Sequence, residues 1–131
     1  MTGLDTNVLV RYIMQDDAKQ SALAARLIES LSAASPGFVS IVSIVELSWV
    51  LSSAYEFDRN QIIVALDGLL RAKEIVVENA ETVGKALRAY QTARAEFADC
   101  LIERSCTAAG CEKTVTFDRT AAKGGGMTLI V

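Results

Sequence analysis

Leu4-Asp5-Thr6-Asn7-Val8-Leu9-Val10-Arg11 carries the pattern that decides the fold. A short apolar start ends near Asp5, and the polar Asp-Thr-Asn interruption makes a turn. The apolar run after it then opens a short helix carrying Arg11 and Tyr12. A brief strand followed at once by a helix is the opening of a parallel β-α arrangement, because parallel neighbours need a crossover between them.

The same alternation continues along the chain. From Ala18 to Leu31 the residues Leu23, Leu27, Ile28 and Leu31 recur at helical spacing, until Ser35-Pro36-Gly37 breaks the pattern. Phe38 to Val42 predicts a strand on its aromatic and β-branched content. Ser43 is expected to open the next helix, with Leu47, Leu51, Ala54 and Tyr55 along one face. Asp58-Arg59-Asn60-Gln61 has the form of a capping box and leads into the stripe Ile62, Ile63, Leu66, Leu69 and Leu70. Ile75-Val76-Val77 predicts a strand, and Asn79 a cap for a helix that buries Val83, Leu87 and Tyr90. A further helix is expected from Ala98 to Ala109, with Leu101, Ile102 and Cys106 inward. Thr114 to Phe117 predicts a strand, Lys123-Gly124-Gly125-Gly126 a flexible turn, and Thr128 to Val131 a terminal strand. The order β-α-α-β-α-α-β-α-α-β-β predicts one domain over residues 1–131. Its class is α/β: three layers, α/β/α, around a mainly parallel central sheet.

Composition narrows the chemistry. Histidine is absent, which removes the Ser-His-Asp relay, the Cys-His pair, the imidazole base and any His-containing zinc site. Cys100, Cys106 and Cys111 are odd in number and form no CxxC pair, so they are expected as reduced thiols. The start resembles no secretory leader and no window is apolar enough for a membrane span, so a cytoplasmic protein without membrane contact is expected. The net charge of -3 argues against nucleic-acid affinity driven by overall charge. A polyanion substrate therefore requires that the carboxylates be offset locally.

Four acids stand where predicted strands end or helices begin: Asp5, Glu46, Asp99 and Asp118. In parallel α/β sheets this is where function gathers. Clustered carboxylates repel unless a cation sits among them. Oxygen donors without histidine or thiolate point to a hard ion, Mg²⁺ or Mn²⁺. Each acid also has a structural explanation. Ser43-Ile44-Val45-Glu46 matches a capping box, Asp99 suits the first turn of a helix, and Asp118 before Arg119 suits a turn or an exposed ion pair. Asp5 has the least structural reason to interrupt an apolar strand.

These stretches resemble the motifs of PIN-domain ribonucleases, in particular the VapC-type toxins of bacterial toxin–antitoxin modules. Leu4-Asp5-Thr6-Asn7-Val8-Leu9-Val10-Arg11 resembles the first motif and Ser43-Ile44-Val45-Glu46-Leu47 the second. Glu96-Phe97-Ala98-Asp99-Cys100-Leu101-Ile102 resembles the third and Thr114-Val115-Thr116-Phe117-Asp118-Arg119 the fourth. The resemblance implies a parallel sheet that brings Asp5, Glu46, Asp99 and Asp118 into one acidic pocket. It further implies an endoribonuclease dependent on Mg²⁺ or Mn²⁺, acting on tRNA or rRNA. The implied partners are a second copy in a homodimer and a small VapB-type antitoxin, assembled into a larger complex. Glu96 matches a further acidic position near the site.

On this reading Asp5, Asp99 and Asp118 are the expected metal ligands, with Glu46 holding a second ion or orienting water. Hydrolysis would leave 5′-phosphate and 3′-hydroxyl ends. Thr6 and Asn7 are expected either to orient Asp5 or to serve as turn and cap residues, and Thr116 either to bind an outer water or simply to build its strand. Arg11, Arg94, Arg119 and Lys123 are the candidate phosphate contacts. The glycine run lacks the GxxxxGK[ST] form of a nucleotide loop. The competing readings are a catalytically inactive PIN-like module that binds RNA or protein, a phospho-acceptor domain and an Asp-nucleophile phosphatase. The last two would want paired acids or Asp-x-Asp after the first strand, where Asp5 is followed by Thr6-Asn7.

Overall fold

In the computed structural model, which describes all residues from Met1 to Val131, the first strand, β1 (Thr2–Gly3), stops just short of Leu4. The Leu4 N–H still donates to the Phe38 carbonyl at 2.8 Å, and its side chain is buried. Asp5 then caps α1 (Thr6–Met14), its carboxylate accepting the Thr6 N–H at 2.8 Å. That oxygen satisfies one of the amides a helix leaves open at its start. The chain divides into two units, Met1–Glu78 and Asn79–Val131.

The first unit continues with α2 (Ala18–Glu29), β2 (Gly37–Val39), α3 (Ile41–Ser53), α4 (Arg59–Arg71) and β3 (Ile75–Val77). Its strands pair in the order β1-β2-β3, all parallel, with Gly3 opposite Phe38 and Phe38 opposite Val76. Two helices bridge each pair, the crossover that parallel pairing demands. Leu9, Val39, Ile44, Leu47, Leu51 and Leu66 are wholly buried and form its core. Asp58 and Gln61 make the expected capping box at α4.

Two expectations for this unit are corrected. The strand ends at Val39, and Ile41 and Val42 are helical. Ser40 takes an extended conformation and its Oγ accepts the Ser43 N–H at 3.1 Å, so the cap overrides the β-propensity of the residues after it. Ser43 is therefore inside α3 and does not open it. On α2 the buried face is Ser21, Ala24 and Ile28, whereas Leu23 and Leu27 are 52% and 37% exposed. The periodicity was helical, but the face inward is the one with small residues. Ala54 is exposed, and α3 also leaves Val42 and Trp49 in solvent.

The second unit contains α5 (Ala80–Thr92), α6 (Phe97–Ala108), β4 (Val115–Thr116), α7 (Arg119–Gly124) and β5 (Thr128–Leu129). Val83, Ala86, Leu87 and Tyr90 of α5 are buried, as are Phe97, Cys100 and Leu101 of α6. Tyr90 and Phe97 meet edge to face with centroids 5.9 Å apart. Strands β4 and β5 are parallel, Thr116 opposite Leu129. Asn79 occupies the N-cap position of α5 with φ +50 and makes no side-chain cap bond. Ile102, expected inward, is about half exposed, and Cys106 is only partly buried.

The expected flexible turn at the glycine run is corrected to the end of a helix. α7 supplies the crossover between β4 and β5, so the element order ends β-α-β. A Cβ on Gly124 would lie 2.8 Å from the Ala95 nitrogen and 2.9 Å from the Arg94 nitrogen. Glycine is there to let two backbones approach. The α/β class and the parallel pairing hold as expected. No helix is long and apolar enough to cross a membrane.

Candidate active site

The four acids are divided between the units, Asp5 and Glu46 in the first, Asp99 and Asp118 in the second. Three of them serve helix starts. Asp5 caps α1, which supplies the structural reason the sequence did not show. Asp99 lies in the first turn of α6 and accepts the Glu96 N–H at 3.3 Å. Asp118 caps α7, its Oδ1 accepting from the N–H groups of Thr120 at 2.8 Å and Ala121 at 3.3 Å. In each case one carboxylate oxygen is engaged and the other meets no protein donor. None of the three is in an ion pair.

Glu46 differs. Because Ser40 caps α3, Glu46 falls in the second turn, beyond the reach of any cap role, and the capping-box explanation of this residue is overturned. Its side chain is exposed and makes no hydrogen bond or ion pair. An apolar helix carrying one unpaired acid gains nothing structural from it.

The neighbouring polar residues sort by their contacts. Thr116 Oγ1 accepts the Asp118 N–H at 3.0 Å, so it braces the backbone of the acid. Thr6 lends Asp5 its backbone N–H, while its own hydroxyl is buried and has no protein partner. Asn7 is exposed. Glu96 occupies the N-cap position of α6, where the Asp99 carboxylate turns back to it.

The candidate cations also separate. Arg11 donates to Asp16 at 2.9 Å, Gln20 at 2.9 Å and Tyr55 at 3.2 Å, which ties α1 to α2 and to the segment that follows α3. The Tyr55 hydroxyl donates to the other Asp16 oxygen at 2.8 Å, and this bond, with the Arg11 charge, holds the Asp16 carboxyl below its usual value. Arg11 is thus committed to structure, although it borders a groove of about 270 Å³ with Asn7, Val8 and Leu23. Arg94, Arg119 and Lys123 instead line one cleft of about 580 Å³ in the second unit. Arg94 and Lys123 reach a second cleft, of about 480 Å³, bordered by Arg104, Glu103 and the glycine run. Glu103 and Arg104 were not foreseen. Glu103 is buried against the Arg104 guanidinium, and the Thr107 hydroxyl donates to it at 3.4 Å. A glutamate on a helix reads as solvated, so the sequence held no signal of its burial.

The candidate acids offer carboxylate oxygens and the chain has no histidine, a donor type that suits a hard divalent cation. No group of three or more cysteine, aspartate or glutamate side chains is positioned to hold a metal ion.

Two of the parallel strands, β1 and β4, run out into helices capped by aspartate, Asp5 and Asp118, in an α/β protein. Residues 4–126 match the PIN domain, and the chain belongs to the PIN-domain family. It is similar to a VapC ribonuclease from Aquifex aeolicus (strain VF5), with 26% identity over 129 residues, covering 98% of this chain and 96% of that protein.

Proposed function

We propose that this chain is a VapC-type toxin, an endoribonuclease that depends on Mg²⁺ or Mn²⁺. It hydrolyses phosphodiester bonds of tRNA or rRNA and leaves 5′-phosphate and 3′-hydroxyl ends. The similarity to a VapC ribonuclease along almost the full length of both proteins carries this reading. Asp5, Asp99 and Asp118 would hold the cation through the oxygens their caps leave open. Glu46, which has no structural task, would orient the attacking water or hold a second ion. The chemistry that Mg²⁺ or Mn²⁺ supplies there is acidification of water and neutralisation of charge on the scissile phosphate. Thr116 keeps Asp118 in place through its backbone. The partners that go with this reading are a VapB-type antitoxin and a second copy of the chain, in the cytoplasm.

A catalytically inactive module that binds RNA or protein is the second reading, favoured by the lack of three converging donors. Brief induction of the protein in cells, followed by sequencing of newly formed RNA ends, separates the two. Discrete new 5′-phosphate ends in tRNA or rRNA are expected. A population of ends identical to that of an Asp118→Asn control would leave only the binding module.

A further inference from the structure

The clefts of about 480 and 580 Å³ in the second unit share Arg94 and Lys123, with Arg104 bordering the first and Arg119 the second. Together they are lined by Arg94, Lys123 and Arg119, with Arg104 at one end, in a chain whose net charge is -3. Arg94, Arg119 and Lys123 belong to none of the chain's ion pairs. The one acid on the lining, Glu103, is already paired with Arg104, which it holds at the edge of the cleft. Gly124 lies at the junction of the clefts: with no Cβ, it lets the end of α7 touch the backbone of Arg94 and Ala95, and Arg94 and Lys123 line both clefts. Cations that line the same clefts, with the one lining acid already paired, form a ready seat for an anion.

We propose that this lining is a track for the backbone of single-stranded RNA, with Arg94 and Lys123 at its centre and Arg104 and Arg119 at its ends. The proposal rests on the ribonuclease reading and adds the surface that holds the substrate. No aromatic side chain lines either cleft, so the grip falls on phosphates and not on bases. An acidic helix of a protein partner would want an apolar stripe to bury, and here the aliphatic side chains are Leu129 and alanines.

The test is the salt dependence of RNA affinity in the full chain. Anisotropy of a fluorescein-labelled single-stranded RNA of mixed sequence is followed across a KCl series in EDTA, where no cleavage occurs. Each phosphate contact contributes about 0.7 to the slope of log K against log salt for a single strand, so Arg94→Gln with Lys123→Gln should flatten the slope by about 1.4. The charge-preserving pair Arg94→Lys with Lys123→Arg should keep the parent slope, as should Lys85→Gln on α5, outside both clefts. A slope unchanged in the double glutamine variant overturns the track. So does loss of binding to a glutamate-rich peptide while the RNA slope stays at the parent value. The two readings fail separately. A parent protein that cleaves RNA in Mg²⁺ but shows coincident slopes loses only the track, whereas a flattened slope without cleavage supports the track and removes the nuclease.

Discussion

Ser40 Oγ accepts the backbone N–H of Ser43 at 3.1 Å, which makes Ser40 the cap of α3 and leaves Glu46 in the second turn with no partner. Stability and chemistry should therefore separate along this helix. Ser40→Ala is expected to cost about 1 kcal/mol in urea unfolding, the usual loss for a serine cap. Glu46→Gln should change stability by no more than about 0.5 kcal/mol, as for an exposed site, and lower RNA cleavage more than about tenfold. Full activity in Glu46→Gln would remove this residue from the chemistry.

Asp118 caps α7 and, as proposed, holds the cation, and one substitution can divide these two tasks. Asparagine caps helices as well as aspartate does, so Asp118→Asn should fold with the parent's melting temperature while losing cleavage. The neighbouring Thr116 acts through Asp118. Thr116→Val removes the acceptor of the Asp118 N–H, at a cost of about 0.5–1.5 kcal/mol, and should reduce kcat more than it raises KM. Thr116→Ser should restore kcat. A serine variant as slow as valine would mean that the threonine acts through packing alone.

The Asp16 carboxyl is held below its ordinary value of 3.8, chiefly by the Tyr55 hydroxyl and then by Arg11. A group depressed in the folded state contributes stability above its unfolded pKa and loses it as pH falls through the folded pKa. The stability lead of the parent over Asp16→Asn should thus be complete at neutral pH, begin to shrink near 3.8 and vanish in more acid solution. Urea unfolding at a series of pH values measures this. A lead that grows toward acid would contradict the sign.

Gly124 offers a test of the close approach. Replacing a helical glycine by alanine ordinarily gains about 0.5–1 kcal/mol. Here the added methyl would meet backbone nitrogens at 2.8 and 2.9 Å, atoms that no side-chain rotation can move. Gly124→Ala should instead destabilise by about 1–3 kcal/mol, the range for overpacking. A melting temperature at or above the parent's would show that the two backbones separate freely.

The alternation of strand and helix was legible because it depends on local signals: the Ser35-Pro36-Gly37 break, the Asp58–Gln61 box and the stripes of α4 and α5. What escaped depends on a competition between neighbours. Ser40 and Ser43 are equally good caps in isolation, and only the chain's exit from β2 selects the first. Leu23 and Leu27 match helical spacing as well as Ala24 and Ile28 do, and packing selects the smaller pair. A glycine run reads as freedom until a second backbone is seen beside it. For the candidate site, the acids were visible by type and position, whereas the commitment of Arg11 to Asp16 and Tyr55 and the burial of Glu103 arise from contacts that no periodicity encodes.

Carboxylate-held metal hydrolysis of RNA is tested most directly by the chemistry of the ends formed when the purified chain cleaves a labelled RNA in Mg²⁺ and in excess EDTA. Expected are 5′-phosphate and 3′-hydroxyl ends in Mg²⁺ and no cleavage in EDTA. Cleavage that persists in EDTA, or ends that are chiefly 2′,3′-cyclic phosphate, would contradict it.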